Sequence, residues 1–372
     1  MTLVGRHFFP GGNTPSGFFS FYDYVGGGHN TKTFVLKGGP GSGKSSFMKR
    51  IAAELQYEIS ETEFHHCSAD YHSLDGISFP AYGISVLDGT SPHVVDPKLP
   101  GVVDEIINLG EYWHTPSLRK HRDNITGITT EISRSFRKAY SFLRVARNYY
   151  DDYQSYFVDT GAINIARLNE VAATIQAEHF PQRVFVQGSR ERHLFATALT
   201  PIGPINFLPS VTANCNRHVV LLGEPGTGAE YVVDLLRRRA LCSGLTVESY
   251  HCVMRPDVVE HLVIPQLSLA IVTSREAHSY QAPSGGHEVL GAVVESTRLA
   301  ALRADMAYVD AESKRALAQA IAFLARAKAL HDELETYYVP HMDFSQVDAR
   351  REQVLAEIRG LICEKDGLKS SL

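Results

Sequence analysis

A glycine-rich segment near the N-terminus carries the clearest chemical signal of the sequence. Residues 38–46 read GGPGSGKSS, and residues 38–45 fit the pattern GxxxxGK[ST] of a phosphate-binding loop. Glycines let the backbone curl so that successive N–H groups face an anion, and a helix that begins there adds the positive end of its dipole. The segment therefore predicts a nucleotide site made of these residues: Gly38, Gly39, Pro40, Gly41, Ser42, Gly43, Lys44, Ser45 and Ser46.

Three side chains around this loop suit the chemistry of a magnesium-bound triphosphate. Lys44 is expected to reach the β- and γ-phosphates, and the Ser45 hydroxyl is expected to ligate Mg²⁺. The second Mg²⁺ ligand of such sites is an acid at the end of an apolar strand, and Asp88 follows the apolar run at 84–87. We therefore expect ATP and Mg²⁺ as cofactors, with Ser45 and Asp88 as metal ligands. In the alternative interpretation, Asp88 with Gly89 only forms a turn.

Two further acids, Asp70 and Asp75, lie between the predicted second and third strands. In P-loop folds the loops at the carboxyl ends of the strands carry the chemistry. Asp70 or Asp75 could therefore orient a water molecule or deprotonate an acceptor hydroxyl. The alternative is a solvated turn without a catalytic role.

The sequence around the loop recurs 185 residues further along the chain. Residues 35–43 read VLKGGPGSG, and residues 220–228 read VLLGEPGTG. The same offset aligns His66-Cys67 with His251-Cys252, Pro80 with Pro265 and His93 with His278. Internal repeats of this kind indicate repeated structural units. We therefore predict two copies of one domain, covering residues 1–185 and 186–372.

The second copy lacks the groups that would handle phosphate. The residues at the positions of Lys44, Ser45 and Asp88 are Ala229, Glu230 and Thr273. Glu230 would also place a negative charge where phosphate should bind. The nucleotide site is therefore predicted in the N-terminal copy only. Because His66 and His251 persist in both copies, we expect them to pack or to form hydrogen bonds at the strand ends.

The pattern of apolar residues predicts an α/β fold. In each copy, strands alternate with helical segments, which is typical of a parallel sheet. A long helical region follows, in which apolar residues of segment 116–156 recur at spacings of 3 and 4. The prediction is two tandem P-loop NTPase domains with parallel sheets, each with a long helical extension. We expect these amphipathic helices to pack on their own domain or on the sister domain.

Two other segments each allow two interpretations. Aromatic residues crowd segment 6–24, where they could place a ring on the nucleotide base or simply fill the core. The basic run at 119–122 could supply an arginine finger or contact RNA, or it could be a solvated helix face.

The composition excludes several classes of protein. The chain has 372 residues, 44% of them hydrophobic, and a net charge of −5. This ordinary globular composition argues against disorder, and the mild acidity makes nucleic-acid binding an unfavoured role. The five cysteines form no CxxC motif, and neither a signal peptide nor an apolar stretch of about 18 residues is visible. We therefore expect a cytoplasmic protein that does not act at a membrane.

Several segments resemble an uncharacterised bacterial family of duplicated P-loop NTPase, or ATPase-like, proteins. They read RHFFPGGNTPSGFFSFYDY, LKGGPGSGKSS, HHCSADYHSLDG, LDGTSPHVVDP and VDEIINLGEYW. The resemblance covers nearly the full length of the chain. It implies a P-loop NTPase fold with an ATP site at residues 38–45, and it implies no particular substrate.

The sequence thus predicts a Mg²⁺-dependent ATP-binding protein that hydrolyses ATP. The first alternative is a small-molecule or nucleotide kinase with Asp70 or Asp75 as its base. The second is a nucleotide-gated regulator with little turnover. The partners expected are a nucleoside triphosphate and either a small-molecule acceptor or another protein.

Overall fold

The chain forms a mixed α/β structure with parallel strand pairs and long helices. The computed structural model describes residues 4–28, 30–91, 94–181, 188–276, 278–283 and 286–370. The strands are β1 (Arg6–Phe8), β2 (Gly11–Thr14), β3 (Gly17–Ser20), β4 (Lys32–Lys37), β5 (Glu63–His66), β6 (Leu74–Phe79), β7 (Ile84–Asp88), β8 (Asp104–Asn108), β9 (Arg190–Leu194), β10 (Thr197–Thr200), β11 (Gly203–Asn206), β12 (Arg217–Leu222), β13 (Thr246–His251), β14 (Val259–Ile264), β15 (Leu269–Ser274) and β16 (Gly286–Val289). The helices are α1 (Lys44–Leu55), α2 (Thr115–Leu118), α3 (Arg122–Asp159), α4 (Ile165–His179), α5 (Leu208–Val211), α6 (Ala229–Cys242), α7 (Arg303–Tyr338) and α8 (Phe344–Ser370). Within the described ranges, no helix is both long and apolar enough to cross a membrane.

Contacts divide the chain into two units that are not contiguous in sequence. Unit 1 comprises residues 1–11, 20–137 and 324–372, and unit 2 comprises residues 12–19 and 138–323. This division differs from the predicted domains 1–185 and 186–372. The predicted boundary itself falls on residues 182–187, which lie outside the described residues.

Unit 1 is built on a six-stranded sheet of order β1-β5-β6-β7-β4-β8. Strand β4 is parallel to β7 and β8, and β1 is parallel to β5. Strand β6 is antiparallel to both of its neighbours, β5 and β7. The prediction of a parallel sheet is therefore correct for some strand pairs only. The short connection from β5 to β6 explains the exception, because a parallel crossover needs about a dozen residues or more.

The sheet of unit 2 has the order β9-β13-β14-β15-β12-β16. Strand β12 is parallel to β15 and β16, and β14 is antiparallel to β13 and β15. Taken from edge to edge, the strand order and directions are the same as in unit 1. A small two-stranded sheet, β10-β11, accompanies it.

Each sheet is covered by helices from two distant parts of the sequence. The core of unit 1 joins Phe34 of β4 and Ile51 of α1 to Ile358 of α8, the last helix of the chain. The core of unit 2 joins Leu236 of α6 to Leu168 of α4, a helix that precedes all strands of this sheet in sequence. Helices α4 and α8, which come after the long helices α3 and α7, thus each pack in the unit of the other predicted copy.

Candidate functional site

The first glycine-rich loop connects β4 to α1 in unit 1. Strand β4 buries Val35 and Leu36, and the loop after it turns directly into α1 at Lys44. Gly41 and Gly43 have φ values of +67° and +83°. Only glycine adopts this left-handed region without a steric cost, so the two glycines allow the chain to turn into the helix.

Lys44 and Asp88 are brought together at the carboxyl ends of two adjacent parallel strands. Leu36 of β4 pairs with Asp88 of β7, so both chains leave the sheet at the same edge. The Lys44 Nζ lies 3.6 Å from Asp88 Oδ2, and the two side chains are 13% and 14% exposed. Lys44 Nζ also donates to the carbonyls of Gly38 (2.6 Å) and Gly39 (3.1 Å). The cation is therefore held within the loop that the sequence predicts to bind phosphate.

Asp88 closes the turn of the alternative interpretation and also faces the glycine-rich loop. Its Oδ1 accepts hydrogen bonds from the backbone N–H of Thr90 at 2.8 Å and from the Thr90 hydroxyl. Its Oδ2 faces Lys44. One carboxylate oxygen thus closes the turn, and the other remains directed at the loop.

Ser45 connects the start of α1 to the start of β6. Its hydroxyl oxygen accepts from the backbone N–H of Leu74 at 3.0 Å. Ser42 closes the loop from within, since its hydroxyl donates to the Gly39 carbonyl at 2.8 Å. Ser45 and Asp88 both border this loop, and their role as ligands of one Mg²⁺ stays a prediction.

Asp75 occupies a different environment from the one predicted. It lies inside β6 and is only 4% exposed, so the predicted loop position of this residue is wrong. Its neighbours include Tyr22 and Cys67: burial raises the pKa of both side chains well above the ordinary value, and the Asp75 charge raises them further. The sequence missed β6 because Asp75 and Gly76 interrupt its apolar pattern. The role of Asp75 as a base stays a prediction.

Asp70 lies on the connection between β5 and β6, where the sequence placed it. Its Oδ1 accepts from the N–H of His72 (3.2 Å), and its Oδ2 accepts from the Ser73 hydroxyl (3.0 Å). These are the bonds of an Asp-stabilised turn. The same carboxylate lies 3.5 Å from Nζ of Lys328 on α7. Asp70 therefore shapes the turn and also meets a cation from a distant helix.

The sequence analysis missed the residues that cover the loop. The backbone N–H of Gly41 donates to Glu335 Oε1 at 3.2 Å. A Cβ atom built on Gly41 would lie 2.9 Å from Val339, and one built on Gly39 would lie 3.0 Å from the Trp113 ring. Glu335 and Val339 are about 290 residues away from the loop, and no local motif marks them.

The second glycine-rich loop, residues 223–228, has a similar backbone course in unit 2. Gly226 and Gly228 again have positive φ, and α6 begins immediately afterwards. A small pocket lies beside this loop. The charged residues of its lining are Glu224, Glu230, Arg255, Glu260 and Arg275.

The charges of this pocket pair with one another. Arg275 forms an ion pair with Glu260 and donates to the Tyr150 hydroxyl at 2.6 Å. Arg255 lies 3.5 Å from Glu230, the residue aligned with Ser45. An incoming phosphate would therefore compete with carboxylates that already neutralise both guanidinium groups.

Glu260, His261 and His278 cluster in the interior of unit 2 at a spacing that could suit a metal ion. His261 Nδ1, however, accepts from the backbone N–H of Thr273 at 3.2 Å. The proton of a neutral His261 must then be on Nε2, so this nitrogen is a donor rather than a metal ligand. Arg275 already contacts Glu260. Glu260 and His261 are therefore engaged by Arg275 and by the Thr273 amide in an arrangement that does not favour a metal ion. The aligned His93 of the first copy lies outside the described residues.

The histidines shared by both repeats hold the connections between strands. His66 Nδ1 donates to the carbonyl of Tyr71 at 2.6 Å, and His251 Nδ1 donates to that of Pro256 at 2.7 Å. In each case Nε2 then accepts from another histidine at 2.8 Å, His7 in unit 1 and His193 in unit 2. The two histidines thus form hydrogen bonds at the strand ends, as expected from the sequence.

The structure bears on the two ambiguous segments only through burial. Phe8 and Phe9 of the N-terminal aromatic segment are fully buried, as core packing requires, whereas Phe18 and Phe19 are half-buried. Arg119, Lys120 and Arg122 of the basic run are exposed, which both interpretations of the run allow.

Comparison of the chain with protein-family models, curated proteins and solved structures found no match.

Proposed function

We propose that this chain is a Mg²⁺-dependent ATP-binding P-loop protein of two tandem repeats, and that its N-terminal repeat hydrolyses ATP. The observation that supports the proposal most directly is the position of Lys44. Its ammonium group lies in a glycine-rich loop between a strand and a helix, 3.6 Å from a carboxylate on the adjacent parallel strand. A phosphate loop with its lysine and its Mg²⁺-binding acid has this combination of parts. The common strand order of the two sheets supports the tandem repeat.

The residues of the loop would divide the work of binding a triphosphate. The backbone N–H groups of the loop and the N-terminus of α1 would bind phosphate oxygens, and Lys44 would neutralise the charge on the β- and γ-phosphates. Ser45 and Asp88 would hold Mg²⁺, which would neutralise negative charge on the β- and γ-phosphate oxygens. Asp70 is the more accessible of the two candidate bases, since its side chain is 29% exposed, whereas Asp75 is buried in β6.

A second candidate function is a nucleotide-gated regulator with little turnover. The contact of Glu335 with the loop favours it, because a covered phosphate loop must be uncovered before nucleotide can bind. A hydrolase should release phosphate steadily after it binds ATP, whereas a regulator should bind ATP and release little phosphate.

The test measures ATP binding by titration calorimetry and ATP hydrolysis by the release of phosphate, each with and without Mg²⁺. Binding with steady release of phosphate into water supports the hydrolase. Binding without release supports the regulator, and ADP formation that requires an added hydroxyl acceptor would identify a kinase. If ATP does not bind in the presence of Mg²⁺, the proposal is wrong.

A further inference from the structure

We infer that Glu335 acts as a built-in competitor for nucleotide, so that ATP binding displaces residues 335–344, here named the cap segment, from the phosphate loop. The inference rests on the proposed function, because it concerns the same loop. It adds a means of regulation: the protein's own carboxylate occupies a position of the loop until a triphosphate replaces it.

The contact that carries the inference joins a carboxylate to a phosphate-loop amide. Glu335 Oε1 accepts from the N–H of Gly41 at 3.2 Å. The N–H groups of a curled glycine-rich loop form a concave site for an anion, and a carboxylate oxygen is an anionic acceptor like a phosphate oxygen. Glu335 and a nucleotide phosphate therefore compete for the same donor.

Lys44 is also engaged by the protein itself. Its Nζ is bonded to the carbonyls of Gly38 and Gly39 and lies beside Asp88. The Lys44 ammonium group and the Gly41 N–H, two of the groups expected to bind phosphate, thus already have hydrogen-bond partners within the protein. Nucleotide binding must exchange these bonds for bonds to phosphate.

Apolar contacts extend the cover along the loop. Cβ atoms built on Gly41 and Gly43 would lie 2.9 Å from Val339 and 3.4 Å from Phe344. The Trp113 ring, which packs against Gly39, lies 5.4 Å from the ring of Tyr338.

The cap segment is fastened to the short stretch around Trp113. His114 N–H donates to the carbonyl of His341 at 2.8 Å, and Asp343 N–H donates to that of Tyr112 at 3.0 Å. Displacement of Glu335 would therefore disturb the surroundings of Trp113 as well.

The second repeat provides an internal comparison. Gln154 of α3 stands at the position of Glu335 when the helical extensions are aligned, 181 residues apart. Its Cα lies 3.2 Å from a Cβ built on Gly226, so a helix covers this loop too, and its Oε1 accepts from Arg255 Nη1 at 2.8 Å. The loop with a lysine is thus contacted by a carboxylate, whereas the helix over the loop without one carries a neutral glutamine at the equivalent position. This is the difference expected if the carboxylate matches the anion site of the intact loop.

The experiment compares ATP affinity of the full chain with that of Glu335→Gln, by titration calorimetry with Mg²⁺. Glutamine keeps the size of the side chain and is the residue found at the equivalent position beside the second loop, but it weakens the competing acceptor. We expect tighter binding by about tenfold, on the order of the difference between a charged and a neutral hydrogen bond. The matched control is Glu333→Gln, which removes the same charge from an exposed position of the same helix and should bind like the unaltered chain.

Displacement is measured separately on the unaltered chain. Trp113 is the only tryptophan, so its fluorescence reports on the cover of the loop. We expect ATP to change this emission and to increase amide hydrogen exchange in residues 335–344. Equal affinities of the unaltered chain and Glu335→Gln, or unchanged exchange at saturating ATP, would overturn the inference while leaving ATP binding intact. If neither form binds ATP, both the inference and the proposed function fail.

Discussion

Lys44 is the side chain on which the candidate site depends most. It contributes the only cation within residues 38–46, and it already lies on the loop carbonyls and close to Asp88. Asp88 in turn divides its two oxygens between a turn and the loop. Substitution of each residue therefore tests a separate part of the proposed chemistry.

Lys44→Ala should reduce ATP affinity by at least about a hundredfold and abolish turnover, because it removes the charge that offsets the β- and γ-phosphates. The chain should remain folded, which circular dichroism can verify. Titration calorimetry is the measurement, and Lys49→Ala, five residues further along α1, is the control. Unchanged affinity in Lys44→Ala would mean that the nucleotide site has been assigned wrongly.

Asp88→Asn should weaken ATP binding in the presence of Mg²⁺ far more than in its absence. Asparagine retains an Oδ1 acceptor for the Thr90 turn, so only the negative charge toward Lys44 and Mg²⁺ is lost. Calorimetric titrations with Mg²⁺ and with EDTA measure the difference, and the exposed Asp96→Asn serves as control. Equal losses in both conditions would show that Asp88 only shapes the turn.

At the scale of elements, the same connection recurs beside both glycine-rich loops. In each unit an antiparallel pair of strands is joined by a short turn, and a buried histidine ties this turn to the first strand of the sheet. Burial lowers the pKa of His66 and of His251 from 6.5 to about 4. Each ring must therefore remain neutral for its two hydrogen bonds to persist.

This neutrality predicts a loss of stability in acid. Between pH 6.5 and about 4, the unfolded chain binds more protons at His66 and His251 than the folded chain does. The stabilising contribution is therefore complete above pH 6.5 and is lost as the pH falls, by up to about 1.4 kcal/mol per histidine for each pH unit. Urea unfolding at about pH 7.5 and about pH 5.5 measures this change.

His66→Gln should be less stable than the unaltered chain at neutral pH and should lose less stability on acidification. His72→Gln, at an exposed position of the same turn, is the control and should keep the full pH dependence. If His66→Gln and the unaltered chain lose equal stability between the two pH values, His66 is not held neutral.

At the scale of the whole molecule, two sheets of the same order carry loops of unequal chemistry. The loop of unit 1 holds a lysine beside an acid, whereas the pocket of unit 2 pairs Arg275 with Glu260 and Arg255 with Glu230. The backbone of the second loop retains its positive-φ glycines. We therefore expect the second loop to keep the shape of a phosphate-binding loop but to bind no nucleotide.

The stoichiometry of ATP binding tests this asymmetry. Titration calorimetry of the full chain should give one Mg–ATP per chain, because Ala229 supplies no cation and Glu230 repels phosphate at the start of α6. Two sites per chain would contradict this expectation. A single site that survives Lys44→Ala would mean that the second loop is the one that binds.

The sequence by itself determined the features that depend on a few neighbouring residues. Local sequence shows the glycines, lysine and serine of the first loop and its place between a strand and a helix. It also shows that the second loop keeps most of the glycines but lacks the lysine and the serine. The pairing of Lys44 with Asp88 was also predictable, because the carboxyl ends of adjacent parallel strands share an edge.

The tertiary structure alone decided which distant residues meet the loop. Strand β6 has a weak local pattern, and it is specified by its pairing with β5 and β7 on either side. Glu335 reaches Gly41 from a helix whose amphipathic face could have packed on either sheet. A sequence shows that such an apolar face must be buried. Which sheet it packs against depends on the packing of the whole chain, because many alternative contacts between distant segments are possible.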